Sequence, residues 1–552
     1  MNTTQIVAEI LFRENIDFIT CIPSTPLIEA SAAVGIRPIV CRQERTGVHI
    51  ADGYSRINNG RRVGVFAMQA GPGAENAFGG VAQAYADSTP ILLIPTGVPL
   101  ARRSIPPSFN SVRCFGPITK WTGYIENGDQ IEELMRQAFM QLRCGRHGPV
   151  LLEIPVDIAV KDLDVSSIAY DPPPESRTPG EPEAVRRVVK ALLAANHPIL
   201  CAGQGVLYAE ATKELVELAE TLNAPVMTTL LGKSCFPENH PLSLGAGASS
   251  SPDCVYHFLA RADLICGVGC SFLKSAFKAR IPSDRVLVHI TNDCSDINKD
   301  YPRSYPLIGD AKLVLRQLLD GIRLQSDVNN PPLTRNIAAE IVAVRDRWLR
   351  NWLPRLTSDE VPINPYRVIW DVKNFFNPTD TIVTHDSGSS REQVVPFWQA
   401  IEPRSFIGWG NSTQLGFSLG LALGAKLAAP RKHVINFMGD AAFGMVGLDI
   451  ETAVRARIPI ITILFNNSTM GIYSDNDFPV AGKRYAVKTL SGNYARVAQA
   501  LGAHAERIFA LNELIPALER AIEATEKDRP ALLEVITKEE RNFSNCTVFD
   551  PL

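Results

Sequence analysis

Apolar residues along this chain fall into two rhythms. Up to about Ala159, short continuous apolar runs ("DFITCIP", "IRPIVC", "RVGVFAM", "TPILLIPTG", "GPVLLEIP") alternate with stretches whose apolar positions recur every three or four residues. Unbroken apolar strands separated by helical periodicity predict a parallel sheet buried on both faces. The pattern then restarts twice. "HPILCAG", "APVMTTL", "ADLICGVG" and "RVLVHIT" form a second set ending near Ile322, and "DTIVTHDSG", "SFIGWG", "KHVINFMGD", "IPIITILFNN" and "PALLEVI" form a third. Polar, proline-bearing stretches at 164–184 ("DVSSIAYDPPPESRTPGEPEA") and 324–336 ("LQSDVNNPPLTRN") keep neither rhythm and read as linkers. The predicted fold class is α/β, with three doubly wound parallel-sheet domains at 1–165, 185–323 and 360–552. The opening "MNTTQIVAEILFREN" reads as a Thr-capped amphipathic helix, since it lacks the basic start of a signal peptide.

Bulk composition narrows the partners more than the fold. A chain of 552 residues is too long for one core. With 45% hydrophobic and 20% charged residues it has ample apolar surface for several, so disorder is not the default. A net charge of −3 leaves no basic field for nucleic acid or an anionic membrane. The best apolar run, "TPILLIPTGVPLA", is broken by prolines and too short to span a bilayer. The eleven cysteines contain no C-x-x-C pair, and Cys266 and Cys270 have no histidine nearby to complete a zinc set. Reduced thiols and a cytoplasmic location are the expectation.

The candidate chemistry lies in the third set. Asp440 ends "VINFM" and Asn467 ends "IPIITILF", with "GLDIETAVRARI" fitting a crossover helix between them. Such a unit lays its two strand ends side by side, where ligands of doubly wound sheets bind. A carboxylate and a carboxamide at adjacent tips suit Mg²⁺, which shares its remaining positions with phosphate and water. "GDAAFG" adds backbone N–H groups at a helix start, from Gly439, Ala441 and Ala442. Each motif alone is an ordinary strand-closing turn. At the two ends of one crossover they read as a metal–diphosphate clamp.

This arrangement resembles the signature of thiamine diphosphate-dependent enzymes, a Gly-Asp-Gly motif followed at a fixed interval by Asn-Asn, in its acetolactate synthase-like form. The resemblance covers nearly the whole chain and implies a pyrimidine-binding, a central and a diphosphate-binding domain in that order. It implies Mg²⁺ held by Asp440, Asn467 and the carbonyl of Thr469, with Ala441 standing where the motif has its last glycine. In "IRPIVCRQERTGVHIADGYSR", Glu44 matches the catalytic glutamate that hydrogen-bonds the pyrimidine N1′ and drives the 4′-amino group to take the proton from C2 of the thiazolium. "STQLGFSLGLALGAK" implies Leu415 as the wedge that bends the cofactor and the carbonyl of Thr413 as acceptor for its 4′-amino group. Gly71 and Asn76, in "MQAGPGAENAFGG", and Ser387, Gly388, Met470, Gly471 and Ile472 complete the implied cofactor contacts.

The same resemblance implies a 2-oxo acid substrate, decarboxylated with or without carboligation. It also implies a site shared between subunits, hence a homodimer as the minimum and a homotetramer as the common form. Thr25, Phe109, Tyr473 and Asn476 are the implied substrate-pocket positions. Several positions in the chain depart from acetolactate synthases: Ser24 and Thr25 replace a glycine pair, Gln43 replaces the histidine before the catalytic glutamate, and Asn476 stands where those enzymes carry a selective tryptophan. "GDAAFGMVGLDIETAVRARIPIITILFNN" is similar as well to the oxalyl-CoA decarboxylase and 2-hydroxyacyl-CoA lyase branch, which keeps an acyl-CoA substrate as the alternative. In the central domain, "AGQGVLY" lacks the third glycine of a dinucleotide fingerprint, and Cys270, Ser271 and Phe272 occupy the neighbourhood where flavin-containing relatives tend to carry an arginine. This disfavours FAD, and FAD, ADP, CoA or no ligand stay open there. A cofactor-binding homologue without turnover is the reading from another class; an intact Glu44 speaks against it.

Overall fold

The computed structural model describes residues 1–69, 71–164, 168–302, 304–326 and 336–545. Parts of both linkers, residues 165–167 and 327–335, lie outside the described residues. The chain builds three six-stranded sheets, every neighbouring pair of strands parallel.

The first sheet contains β1 (Phe18–Cys21), β2 (Arg37–Val40), β3 (Gly64–Gln69), β4 (Ile91–Gly97), β5 (Trp121–Tyr124) and β6 (Val150–Pro155), in the order β2-β1-β3-β4-β6-β5. The second contains β7 (Pro198–Ala202), β8 (Val226–Thr229), β9 (Ser243–Gly247), β10 (Leu264–Val268), β11 (Val286–Thr291) and β12 (Ser304–Ile308), in the order β12-β11-β10-β7-β8-β9. The third contains β13 (Thr381–His385), β14 (Phe406–Gly408), β15 (His433–Gly439), β16 (Ile461–Asn466), β17 (His504–Ile508) and β18 (Ala531–Ile536), in the order β14-β13-β15-β16-β18-β17. The third sheet repeats the topology of the first, strand for strand. Central strands such as β4, β10 and β16 are buried along their whole length, as expected for sheets covered on both faces. No helix among the described residues is long and apolar enough to cross a membrane.

Two local readings are corrected. The first helix, Thr3–Arg13, is capped by Asn2 and not by threonine: its side chain accepts the Gln5 N–H at 3.0 Å while Gln5 accepts the Asn2 N–H at 2.8 Å, a reciprocal capping box. The crossover between β15 and β16 is not one helix. It runs as Asp440–Val446, a 3₁₀ turn Gly447–Asp449, and Ile450–Arg455. The break turns Asp449 toward the loop after β2, where its carboxylate accepts the Arg42 N–H at 2.8 Å, two residues before Glu44.

Helix Glu44–Ile57 packs directly on helix Phe417–Ala428. A Cβ on Gly420 would lie 2.8 Å from the Thr46 carbonyl oxygen, and those on Gly53 and Gly424 would collide with the Leu421 and Ile50 carbonyls. Glycine at these three crossings lets the backbones touch, which fixes the first sheet against the third.

Candidate active site

Strands β15 and β16 pair with Gly439 opposite Phe465, so Asp440 and Asn467 follow neighbouring strand ends. Asp440 is buried and spends both oxygens on backbone: Oδ1 accepts its own neighbour's N–H at Ala441 (2.8 Å) and Oδ2 accepts the N–H of Ser468 (2.8 Å). That second bond ties the two tips together. Asn467 Oδ1 accepts the Thr469 N–H at 3.1 Å, and Ser468 turns the chain between them in a left-handed conformation, φ +57°. Gly471 closes the turn, because a Cβ there would stand 2.9 Å from Asn467 Nδ2. The preceding Asn466 points elsewhere, its Nδ2 donating to buried Glu534 at 2.6 Å.

Burial pushes the Asp440 carboxyl up to about 6, against the hydrogen bonds from Ala441 and Ser468. A buried carboxylate at a strand tip, with a carboxamide at the neighbouring tip, fits a site completed by a divalent ion. Asp440, Asn467 and Thr469 line one cavity and could supply oxygen ligands of the kind Mg²⁺ takes. Among the described residues no cluster of three or more His, Cys, Asp or Glu side chains offers a metal site of another kind. These groups line a cavity of about 280 Å³ together with Ser387, Gly388, Thr413, Leu415, Gly439, Ala441, Ala442, Met470, Gly471, Ile472 and Tyr473. The helix starts normally at Asp440 although Ala441 replaces glycine.

The turn carrying Thr413 and Leu415 is organised by a residue that the motifs did not single out. Asp386 directly follows β13 and is fully buried; its Oδ1 accepts the N–H groups of Ser387 (2.8 Å) and Gly416 (2.9 Å), and its Oδ2 accepts the N–H (2.9 Å) and hydroxyl (2.7 Å) of Ser418. One carboxylate thus joins the Ser387–Gly388 strand end to the start of helix Phe417–Ala428, which has no side-chain cap of its own. The available signal was position: Asp386 follows an apolar run just as Asp440 does.

A second cluster forms on the first sheet. Glu44 opens its helix, and Asn76 Nδ2 donates to Glu44 Oε2 at 3.2 Å. Gly71, at φ +66°, starts helix Pro72–Ala86 beside it. Glu44, Gly71 and Asn76 do not line the Asp440 cavity within one chain. Among the substrate-pocket candidates only Tyr473 does. Thr25 is buried and its Oγ1 accepts the Leu27 N–H at 3.0 Å, Phe109 packs edge-on to Phe115 with centroids 6.5 Å apart, and Asn476 is exposed.

A further cavity of about 290 Å³ opens at the carboxyl ends of the second sheet, with Cys270, Ser271 and Phe272 on its wall. Gly203 and Gly205 are explained there by packing: a Cβ on Gly205 would lie 2.7 Å from the Gly269 Cα. Their pairing needs no dinucleotide.

A doubly wound unit with tied acidic and amide strand tips beside a cavity, preceded by a unit of identical topology carrying a carboxylate at a helix start, defines a cofactor-dependent α/β enzyme assembled from duplicated binding units. The particular family follows from comparison with known proteins. Residues 1–130 match the thiamine pyrophosphate enzyme N-terminal TPP binding domain, 185–318 the central domain, and 386–535 the C-terminal TPP binding domain. A probable acetolactate synthase large subunit of Methanococcus aeolicus is 30% identical over 97% of this chain and 92% of its own length. A second, from Methanocaldococcus jannaschii, is 31% identical over 90% and 85%. The glyoxylate carboligase of Escherichia coli O157:H7 is 28% identical over 94% and 88%. The chain belongs to the thiamine pyrophosphate enzyme family, among acetolactate synthase-like relatives.

Proposed function

We propose that this enzyme binds thiamine diphosphate with Mg²⁺ and acts on a 2-oxo acid, releasing its carboxyl group as CO₂ with or without joining the remainder to a second carbonyl, as a lyase or transferase of acetolactate synthase type. The observation that carries this reading is the Ser468–Asp440 hydrogen bond, which sets a desolvated carboxylate and the Asn467 turn on one wall of one cavity. The names of the relatives, acetolactate synthase and glyoxylate carboligase, support a 2-oxo acid.

In this reading Asp440, Asn467 and the Thr469 carbonyl hold Mg²⁺. Gly439, Ala441, Ala442, Ser387, Gly388, Met470, Gly471 and Ile472 receive the cofactor's diphosphate and thiazolium ring, and Thr413 and Leu415 orient the rest. Bound thiamine diphosphate supplies a carbon nucleophile and an electron sink for the departing CO₂. Glu44, steadied by Asn76, holds a proton against the pyrimidine N1′. Because Glu44 stands apart from the Asp440 cavity within one chain, two chains complete each site, with a homodimer as the minimum and a homotetramer as the working form. The domain limits are 1–165, 185–323 and 360–552.

The test is Glu44→Gln in the holoenzyme. Exchange of the cofactor C2 proton for deuterium, followed by quenched-flow NMR, should slow at least ~100-fold, the scale of a lost acid–base group, while thiamine diphosphate binding changes by less than about twofold. An unaltered exchange rate refutes the role of Glu44. CO₂ release from a panel of 2-oxo acids identifies the donor.

A further inference from the structure

Near the carboxyl ends of the second sheet, Cys201 of β7 and Gly267 of β10 are paired neighbours, and paired positions of parallel strands point to the same face. Gly267 has no side chain to present there. The space above it is filled from the loop that follows β10: a Cβ on Gly267 would lie 2.8 Å from Cys270 Sγ and would collide with the Phe272 ring. A second glycine, Gly203 just past β7, makes room for the same loop, since a Cβ there would stand 2.6 Å from both the Cα and the Cβ of Cys270. Phe272 holds the loop in a left-handed conformation, φ +45°, which residues other than glycine rarely adopt. The outcome is a Cys270 sulfur seated beside Cys201, whose strand runs ~4.8 Å from β10. The two thiols share a hydrogen bond.

Both side chains belong to one buried cluster, and both line the cavity of about 290 Å³ in the central unit. The other buried cysteines are placed differently. Cys235 and Cys266 face the core on the opposite side of the same sheet. Cys21 and Cys41 lie in different cores, each sulfur facing the Ile39 carbonyl, at 3.8 and 3.7 Å. Lys278 stands on the wall of the same cavity, its ammonium pushed below its usual range by burial and drawn back by Asp87 and the two thiols. Asp87 is already held by Arg56 at 3.1 Å and by the Asn411 N–H at 2.9 Å. The Lys278 ammonium is therefore available to a sulfur that develops negative charge.

A cysteine walled into a core serves as a small apolar side chain. Two sulfurs in contact on a cavity wall, beside a cation, have a further chemistry: they can give up two hydrogens for an S–S bond of ~2 Å. The shared hydrogen bond and burial hold the Cys201 thiol well above its usual range, so Cys201 keeps its proton longest.

We propose that Cys201 and Cys270 form a two-electron oxidation site, closing into a reversible disulfide when a small hydroperoxide enters the central cavity. Cys270 Sγ attacks one peroxide oxygen; an S–O bond forms, the O–O bond breaks, and the departing oxygen leaves with the thiol proton, as water in the case of hydrogen peroxide. Cys270 is then a sulfenic acid, two electrons poorer. Cys201 Sγ attacks that sulfur, the S–S bond forms, the S–O bond breaks, and hydroxide leaves with the Cys201 proton as water. The site is separate from the Asp440 cavity and needs neither cofactor nor substrate.

The experiment uses the full-length protein, reduced, freed of reductant and treated with hydrogen peroxide. Thiols still free are alkylated in denaturant and the peptides mapped by mass spectrometry. The peptide carrying Cys201 should appear joined to the peptide carrying Cys270, two hydrogens lighter than their sum, with fragmentation placing the bond at Cys270 and not at Cys266, and dithiothreitol should restore both thiols. Cys201→Ser should instead leave Cys270 as a sulfenic acid that dimedone captures, and Cys270→Ser should leave Cys201 reduced. The wild-type map decides the matter if either variant fails to fold. Recovery of Cys201 and Cys270 as free thiols after the exposed Cys114 and Cys294 have been oxidised, a linkage through Cys266, or a Cys270 sulfenic acid that persists in wild type each overturn the proposal.

Discussion

Asp440 is held by two backbone N–H groups, one from each strand tip. Asp440→Asn removes the negative charge and leaves one carbonyl oxygen for the two N–H groups, so it should fold with a melting temperature a few degrees below wild type. Its retention of thiamine diphosphate should lose its Mg²⁺ dependence, seen as equal binding with and without EDTA; a normal Mg²⁺ response would remove Asp440 from the metal site. A second single-residue prediction concerns His49, fully buried on the Glu44 helix, whose Nε2–H donates to Gln414 Oε1 at 2.7 Å. Burial, aided by the Arg45 charge, lowers its pKa from 6.5 to about 3. Between those values the unfolded chain binds a proton that the folded chain refuses. The stability contribution is therefore complete above pH 6.5 and is lost as pH falls toward 3. Relative to His49→Gln, wild type should lose roughly 1.4 kcal/mol per pH unit in that window, measured by urea unfolding at pH 7, 6 and 5.

At the scale of elements, the contact that sets the two cofactor-facing units together is helix Glu44–Ile57 on helix Phe417–Ala428. Gly53 faces the Leu421 carbonyl, which cannot rotate away as a side chain can. Gly53→Ala should destabilise by about 1–3 kcal/mol, the cost of overpacking a closed interface, read from urea denaturation. Elements also differ in how legible they are. The continuous apolar runs of β3, β4, β10, β15 and β16 announce themselves because both faces are buried. Four strands without such a run, β5, β9, β12 and β17, all lie at sheet edges. An edge strand pairs on one side only and tolerates what a central strand does not: Pro306 in β12, Gly245 and Gly247 in β9, and His504, Glu506 and Arg507 in β17. The broken crossover was hidden for a related reason. Helical periodicity marks a buried face, and both short helices share one, while the turn at Gly447–Asp449 exists to bring Asp449 to Arg42, far away in sequence.

At the scale of the molecule, one buried network joins all three units. Arg56 pairs with Asp52 at 2.5 Å and Asp87 at 3.1 Å in the first unit and donates to the Gly408 carbonyl of the third at 2.7 Å. Asp87 accepts the Asn411 N–H at 2.9 Å, and its backbone carbonyl accepts from Gln204 of the central unit at 3.2 Å. Removing the cation strands two carboxylates out of water. Arg56→Met should lower stability by roughly 3–5 kcal/mol, the usual cost of breaking a buried ion pair from one side, seen as a large fall in the thermal midpoint; a shift under a degree would show that the units are held together elsewhere.

The run of apolar strands, the order of the three units, and the pairing of Asp440 with Asn467 could be read from the chain alone, because each depends on local periodicity and on the fixed hand and adjacency of one βαβ step. Glu44 could be matched to a catalytic role by resemblance, yet its separation from the Asp440 cavity, the Asp386 clamp, the buried Arg56 network and the glycine-lined helix crossing could not. Those depend on contacts between residues more than a hundred positions apart in several cases, and a carboxylate or guanidinium has the same letter in a sequence whether water surrounds it or a folded interior has taken the water away.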